Sequence, residues 1–300
     1  MRLAGAVDIG GTGTKIALVT EDASLVMRTT IATGLGGEPH SLVERIAATL
    51  GAMFDATRAD GTVVPGIGVA VAGFLDRERS AMFANANLPA LCGFPLRRAL
   101  SERMGMECQL EVDSNAALVA DHRHGAARGS GRTLGVTIGT GVGGAVIVAG
   151  RLLRYTGECA GDVGHIIVAP GGRQCSCGAR GCLEALVCAA ALSERGDGRP
   201  VSDIVNSAGG GDRRALDALG ETGRWLGLGL AALVPLFAPA RIVVGGGVSA
   251  AGEMLLRPTR ESFAMHAAPE FARTVTIAGS AFEGWAGVVG AGSLVLDRLE

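Results

Sequence analysis

The chain has 300 residues, of which 48% are hydrophobic and 19% charged, and its formal net charge is −2. This length suits one large or two medium domains, and the balanced charge leaves no electrostatic footprint for nucleic acid or a membrane surface. The longest uncharged run, Trp225 to Ala240, is shorter than the roughly 20 residues of a membrane span. No signal-peptide pattern precedes the first glycine turn, so we expect a cytoplasmic protein with reduced cysteines and no nucleic-acid or membrane partner.

Short apolar runs alternate with amphipathic stretches along the chain, which is typical of an α/β fold. The predicted strands are residues 3–9, 14–20, 24–31, 67–71, 108–112, 134–138, 144–148, 241–244 and 275–278. The predicted helices are residues 41–58, 95–104, 115–127, 182–194, 213–234 and 284–298.

A weak internal repeat joins the segments VDIGGTGTKIALV (7–19) and VTIGTGVGGAVIV (136–148). Each reads as a strand, a glycine-rich tip and a second strand. When residue 7 is aligned with residue 136, the identities are Val7/Val136, Ile9/Ile138, Gly10/Gly139 and Val19/Val148. True duplication predicts two hairpins whose exposed backbone N–H groups form a phosphate cradle; the alternative is a chance match of two ordinary tight turns.

The glycine-rich tips do not fit the two common nucleotide-binding fingerprints. Gly139, Gly141 and Gly144 match the dinucleotide motif G-x-G-x-x-G, but a β-rich stretch follows them where that motif must open a helix. The first tip lacks the P-loop spacing. What remains is a pair of glycine hairpins, with Thr12 and Thr140 as hydroxyl donors.

Three acidic or glycine-rich sites lie at the ends of predicted strands. Asp8 ends the first strand and could hold Mg²⁺ through water. In EVDSNAALVADH (111–122), Asp113 stands where a strand meets a helix, so it is either a helix N-cap or a catalytic carboxylate at a strand end.

The strand in RIVVGGGVS (241–249) ends in Gly245 to Gly247 before a predicted serine-capped helix, and such a tip lets a flat ring or phosphate approach the backbone.

Three cysteines lie close together in CSCGARGCLE (175–184). Cys175, Cys177 and Cys182 are separated by glycines that can bend the loop, and His165 lies upstream in GDVGHIIV. One histidine and three thiolates are a common structural zinc set, and such a closed site shapes a loop without catalysing. The alternative is a group of unligated buried cysteines and a core histidine.

These motifs, in this order, resemble the ROK family of sugar kinases and related repressors, within the actin/hexokinase/Hsp70-like ATPase superfamily. The resemblance covers residues 6 to about 291. It implies an α/β fold of two actin-like (ribonuclease H-like) domains with an interdomain cleft and a structural zinc loop. The first domain would span 1–114, with the C-terminal helix at about 291–300 returning to it; the second, 115–290, would carry the zinc loop.

The resemblance also implies roles for individual residues. Asp113 would be the general base, with the sugar held by Asn87, Asp113, Asp162, His165 and Glu184. ATP would be bound by Asp8, Gly10, Gly11, Thr12, Lys15, Gly139, Thr140, Gly141, Gly245 and Gly246. Zinc would be bound by His165, Cys175, Cys177 and Cys182, and magnesium by Asp8 through water. The cofactors would be ATP, Mg²⁺ and structural Zn²⁺, and we expect a homodimer.

The expected function is ATP-dependent phosphorylation of the primary hydroxyl of a hexose or hexose-like ring, to a 6-phosphate. Two departures from the family pattern, Val112 for asparagine and Asp162 for glutamate, raise the alternative of a modified acceptor such as kanosamine or a C7-cyclitol. A sugar-sensing regulator is a further alternative. Because only seven residues precede Asp8 in this sequence, we do not expect the helix-turn-helix of a repressor.

Overall fold

The computed structural model describes residues 2–34, 38–57, 63–85, 88–154 and 162–297, and they form two compact units. The described residues up to 124, with Arg154 and residues 285–297, form the first unit. Those from 125 to 153 and from 162 to 284 form the second. Both units combine a five-stranded sheet with helices, as the α/β prediction requires.

The first unit is built on the sheet β3-β2-β1-β4-β7, in which β1 is antiparallel to β2 and parallel to β4. Its elements are β1 (Leu3–Ile9), β2 (Gly13–Thr20), β3 (Leu25–Ala32), α1 (Pro39–Thr57), β4 (Ile67–Val71), β5 (Phe74–Leu75), β6 (Met82–Ala84), α2 (Leu96–Met104), β7 (Cys108–Val112), α3 (Asp113–His124) and α10 (Ala286–Leu296). One face of the sheet packs large apolar side chains against α1 and α2. The other face carries small residues, which let α3 and α10 approach closely: Ala70, Ala116 and Ala291 form one buried cluster.

The division between the units differs from the predicted domain limits. The predicted boundary at 114 falls inside α3, which the structure keeps whole in the first unit. The reason is close packing between α3 and α10, since a Cβ atom at Gly290 would overlap the Ala116 carbonyl. For the same reason the returning C-terminal segment begins at Trp285 and not at 291.

The second unit is built on the sheet β10-β9-β8-β11-β12. Its elements are β8 (Arg132–Ile138), β9 (Val142–Val148), β10 (Arg151–Leu152), α4 (Leu183–Val187), α5 (Ala189–Arg195), α6 (Val201–Gly209), α7 (Arg213–Phe237), β11 (Arg241–Gly245), α8 (Glu253–His266), α9 (Pro269–Thr274) and β12 (Thr276–Gly279). Leucine and valine side chains of the sheet and of α7 and α8 make its core.

The two sheets share one strand order, which supports the internal repeat. In each, a hairpin pairs with a third antiparallel strand on one side and two parallel strands on the other. The alignment needs one correction, because the second tip is one residue shorter. Leu3 pairs with Thr20 and its equivalent Arg132 pairs with Val148, so Val148 corresponds to Thr20 and not to Val19. In the corrected register Gly13 corresponds to Gly141.

Most predicted strands and helices are present, with small shifts at their ends. The predicted helix over 182–194 is two short helices, because the chain is extended at Cys188. The sequence reading missed α6 and α9 and the short strands β5, β6 and β10. The six cysteines in the described residues are all free thiols. Among the described helices, none has the length and apolar character of a membrane span.

Candidate functional site

The first glycine turn connects β1 to β2 and is held from one side by Thr33. Gly10 N–H donates to the Gly13 carbonyl at 3.1 Å, which closes the turn. The Thr33 hydroxyl donates to the Gly10 carbonyl at 2.7 Å, and the Thr33 N–H donates to the Thr12 carbonyl at 2.9 Å. Gly11 and Thr12 are exposed. The turn is therefore fixed by its carbonyls, while its tip is open to a ligand.

Three charged groups lie at this end of the first sheet. Asp8 and Lys15 are directly opposite each other in the β1–β2 ladder. Burial raises the pKa of Asp8 to about 6, and the charge of Lys15 opposes that rise. Burial raises the pKa of Asp113 to about 7, and the nearby Asp8 carboxylate adds to the increase. A carboxylate with a pKa near neutrality is suited to accept a proton from a substrate at physiological pH.

The local bonding of Asp113 differs from that of a helix N-cap. Asp113 is the first residue of α3, and its Oδ1 atom accepts the N–H of Ser114, the next residue, at 2.7 Å. A capping side chain instead accepts an N–H two or three residues further along. This geometry argues against the capping alternative.

The sequence reading missed a buried ionic cluster at the end of β7. Glu111 is 3% exposed and forms ion pairs with Arg79 and with Arg154, the latter at 3.0 Å. It also accepts hydrogen bonds from the Asn115 side chain and the Val112 N–H, both at 3.0 Å. These contacts fix the junction of β7 and α3, where Asp113 lies. A glutamate inside the apolar run QLEV was the signal for such a site.

The second glycine turn connects β8 to β9 and is bound to α4 and α5. Gly139 N–H donates to the Gly141 carbonyl at 2.9 Å, and the Gly139 carbonyl accepts the Ala189 N–H at 2.8 Å. Glu184 Oε2 accepts the Val142 N–H at 2.9 Å. A Cβ atom at Gly141 would lie 2.6 Å from the same oxygen, so glycine is required there. Thr140 is exposed at the tip of the turn.

A third glycine segment lies beside the second turn. Gly245 ends β11 opposite Thr137 of β8. Gly246 has φ = 87° and packs against Ile138, the residue before the second turn, where a Cβ atom would overlap backbone. The predicted serine-capped helix is different in the structure: a 3-10 turn spans Gly247–Ala251, and α8 begins after Gly252.

The predicted zinc residues lie together in the second unit. One ligand atom from each of His165, Cys175, Cys177 and Cys182 lies within 4.8 Å of the others. His165 Nδ1 is 3.6 Å from Cys175 Sγ, and Cys177 Sγ is 3.6 Å from Cys182 Sγ. Tetrahedral ligands at about 2.0–2.3 Å from one zinc ion would be separated by similar distances. The donor set therefore fits zinc.

The bend of this loop depends on two glycines, as predicted. Gly178 and Gly181 have φ of 93° and 82°, a left-handed conformation that side chains with a Cβ atom rarely adopt. These turns bring Cys177 back to Cys182.

Two of the predicted sugar-binding acids contact this loop. Asp162 Oδ2 lies 3.4 Å from His165 Nε2, the ring nitrogen that faces away from the thiols. Burial raises the pKa of Asp162, and the charge of His165 opposes that rise. Glu184 Oε1 accepts the Ser176 hydroxyl at 3.0 Å, so Glu184 bonds to the cysteine loop with one oxygen and to the second turn with the other. Asn87 lies outside the described residues.

Comparison with known proteins decides the family. The family model described as "ROK family" matches residues 4–298. This chain belongs to the ROK family.

ROK proteins of several kinds resemble it. It is 32% identical to the glucokinase of Thermotoga maritima over 98% of this chain and 97% of that protein. The crystal structure of a ROK family glucokinase from Streptomyces griseus in complex with glucose and AMPPNP is 31% identical, with a TM-score of 0.87 over 98% of this chain and 99% of that one. The DNA-binding transcriptional repressor Mlc of Escherichia coli is 26% identical over 86% of this chain and 67% of that protein.

Proposed function

We propose that this ROK protein is an ATP-dependent kinase that phosphorylates the primary hydroxyl of a hexose, to a 6-phosphate. The observation that carries the proposal is Asp113, a carboxyl with a pKa raised to about 7 at the β7–α3 junction, in a chain similar to glucokinases over nearly its whole length. The comparisons do not favour kanosamine, a C7-cyclitol or a purely regulatory role.

Asp113 is the proposed general base. Its carboxylate takes the proton of the primary hydroxyl, the hydroxyl oxygen bonds to the γ-phosphorus of ATP, and ADP leaves with the electron pair of the broken P–O bond. Catalysis of phosphoryl transfer is mostly positioning and charge neutralisation, so one well-placed base and a phosphate cradle suffice.

Each unit contributes proposed ATP contacts. In the first unit, phosphate is bound by the backbone N–H groups of Gly11 and Thr12, in the turn that Gly10 closes, and by the ammonium of Lys15. Asp8 holds Mg²⁺ through water, and the ion neutralises phosphate charge when bound. In the second unit, the proposed contacts to phosphate and adenosine are Gly139, Thr140, Gly141, Gly245 and Gly246.

The proposed sugar contacts are Asn87, Asp113, Asp162, His165 and Glu184. Asp162 and His165 already have partners: Asp162 contacts His165, and His165 lies beside Cys175 of the cysteine loop. We infer that these contacts fix the side chains, and that sugar hydroxyls bond to His165 and to the Glu184 carboxylate oxygens in addition to the present partners, since each carboxylate oxygen can accept a second hydrogen bond. Homodimer formation and cytoplasmic location stay proposals; sedimentation analysis would test the first.

Zinc is the proposed metal of the cysteine loop, held by His165, Cys175, Cys177 and Cys182. When bound it supplies a structural cross-link. Protein purified without chelators should hold one zinc per chain by elemental analysis. Cys177→Ser should lower both zinc content and thermal stability, whereas Cys92→Ser should change neither. A zinc-free protein of unchanged stability would contradict the proposal.

A coupled assay of ADP release tests the function as a whole. The panel should contain glucose, mannose, N-acetylated hexosamines, kanosamine and valiolone-type cyclitols. We expect the highest kcat/KM with glucose or mannose. A panel in which only kanosamine or a cyclitol is phosphorylated would overturn the hexose assignment, and ADP release with none of the compounds would overturn the kinase.

A further inference from the structure

Trp285 stands immediately before α10 and is flanked by two cations. Lys15 Nζ is 5.7 Å from its ring centroid and Arg28 Cζ is 5.3 Å from it. In the β2–β3 ladder Lys15 pairs with Thr30 and Ala17 pairs with Arg28, so the two cations are diagonal neighbours on one face of the sheet. The indole packs beside Ala17 in a small apolar cluster on that face.

The indole ring of Trp285 positions the side chain of Lys15. Two cations at neighbouring positions of a sheet repel each other, and an aromatic face attracts both because of its negative quadrupole. Lys15 is the only lysine of the chain and lies opposite Asp8, next to the first glycine turn. Gly287, two residues after Trp285, lies so near that its Cβ would be 2.8 Å from Asp8 Oδ2. The start of α10 thus contacts both charged groups.

We propose that Trp285 is a positioning residue for the donor nucleotide: its indole face holds the Lys15 ammonium at the first glycine turn, ready to meet a phosphate. This inference rests on the proposed function, because it needs Lys15 as a phosphate contact. Trp285 does not itself touch the nucleotide. Arg28 lies on the same ring, further along the sheet from the turn, and has no part in binding.

The first test is equilibrium binding of AMPPNP·Mg in the absence of sugar. Trp285→Ala should raise its Kd about two- to fivefold, the range expected for an exposed cation–π contact. Trp285→Phe keeps a ring of weaker quadrupole and should lie between wild type and the alanine variant. Arg28→Ala is the matched control: it removes the other cation of the same ring but keeps the contact of Lys15 with the indole, so it should not raise the Kd. An unchanged Kd in Trp285→Ala would overturn the inference.

Two further measurements would distinguish this role of Trp285 from a merely structural one. In a Lys15→Ala background, Trp285→Ala should no longer change the Kd; an equal change in both backgrounds would show that the ring acts through packing. In Trp225→Phe, Trp285 is the remaining tryptophan, and its fluorescence can be measured without ligand. Replacing Lys15 by alanine in this variant should change the emission spectrum of Trp285. Identical spectra with and without Lys15 would contradict the contact. If wild-type protein phosphorylates no sugar, the proposed function fails; if it does and these variants match it, only this inference fails.

Discussion

At the residue scale, two acids two positions apart have opposite surroundings. Glu111 is buried between Arg79 and Arg154, so its negative charge is compensated. Asp113 has the Asp8 carboxylate as its main charged neighbour, and the pKa of its carboxyl rises to about 7. Removing one partner of a compensated buried acid destabilises the fold because it leaves a buried charge unpaired, whereas an acid without a cationic partner at a strand end is available to take a proton.

Replacing Asp113 by asparagine tests the base. An amide cannot accept the hydroxyl proton, so kcat should fall by at least about a hundredfold, while the fold and sugar binding persist. Steady-state kinetics and calorimetric sugar binding are the measurements. Glu111→Gln is the control acid and should chiefly lower the unfolding free energy, because it leaves Arg79 and Arg154 without their partner. An Asp113→Asn enzyme with more than about a tenth of wild-type kcat would contradict the role.

The raised pKa of Asp113 also predicts a dependence of stability on pH. The folded state holds this proton more tightly than the unfolded chain, whose value is near the ordinary 3.8. The stabilisation is complete below about pH 4 and is lost as the pH rises through about 7. In urea titrations without ligand, the unfolding free energy of Asp113→Asn relative to wild type should increase by about 2–3 kcal/mol between pH 5 and pH 8. Parallel pH curves for the two proteins would show that the pKa is ordinary.

At the scale of elements, α4 links the cysteine loop to the second glycine turn. Glu184 contacts Ser176 with Oε1 and the Val142 N–H with Oε2, and the start of α5 binds the Gly139 carbonyl. A short helix of five residues, Leu183–Val187, would be marginal by itself. The contacts of Glu184 on both sides stabilise α4. We infer that α4 in this way connects the position of the cysteine loop to that of the second glycine turn.

This link predicts that Glu184 affects nucleotide binding even without sugar. Glu184→Ala removes the acceptor of the Val142 N–H, so the Kd of AMPPNP·Mg should rise about three- to tenfold in sugar-free protein. Ser176→Ala breaks only the bond on the loop side and should change that Kd by less than about twofold. A Glu184→Ala variant with lower sugar affinity but an unchanged Kd for AMPPNP·Mg would contradict the link to nucleotide binding.

At the scale of the whole molecule, two sheets of one strand order carry different chemistry. In the corrected register, Asp8 and its partner Lys15 correspond to Thr137 and its partner Gly143. The first unit therefore has a carboxylate and an ammonium at its glycine turn, and the second has neither at the equivalent pair. The backbone cradle is duplicated, but the charged groups are not.

The asymmetry predicts unequal effects of equivalent substitutions. Asp8→Asn should lower kcat by at least about a hundredfold and raise the Mg²⁺ concentration needed for half-maximal rate, because the ion loses its anchoring carboxylate. Thr137→Ala, the equivalent position in the second unit, should keep kcat within about twofold of wild type. Kinetics over a magnesium titration separates the two. Equal losses would mean that both turns hold the metal.

Much of the fold and the grouping of the cysteine-loop residues could be predicted from local sequence patterns. Apolar periodicity predicted most strand and helix positions. The spacing of the cysteines, with two glycines between them, predicted that His165 and three thiols lie together. These features are local, since each depends on residues close together in the chain. The similarity of the two hairpins could also be predicted from the sequence, but the alignment of their second strands could not, because the second turn is one residue shorter.

Which distant groups share an environment could not be predicted from local patterns, because it depends on tertiary contacts. Burial and the proximity of Asp8 set the pKa of Asp113, and both depend on strands distant in sequence. The two ion pairs of Glu111, the contact of Glu184 with the Val142 N–H and the stacking of Lys15 on Trp285 join residues 30 or more positions apart. Such contacts form only when the sheets assemble, because no local pattern specifies which side chains a distant strand or helix brings alongside.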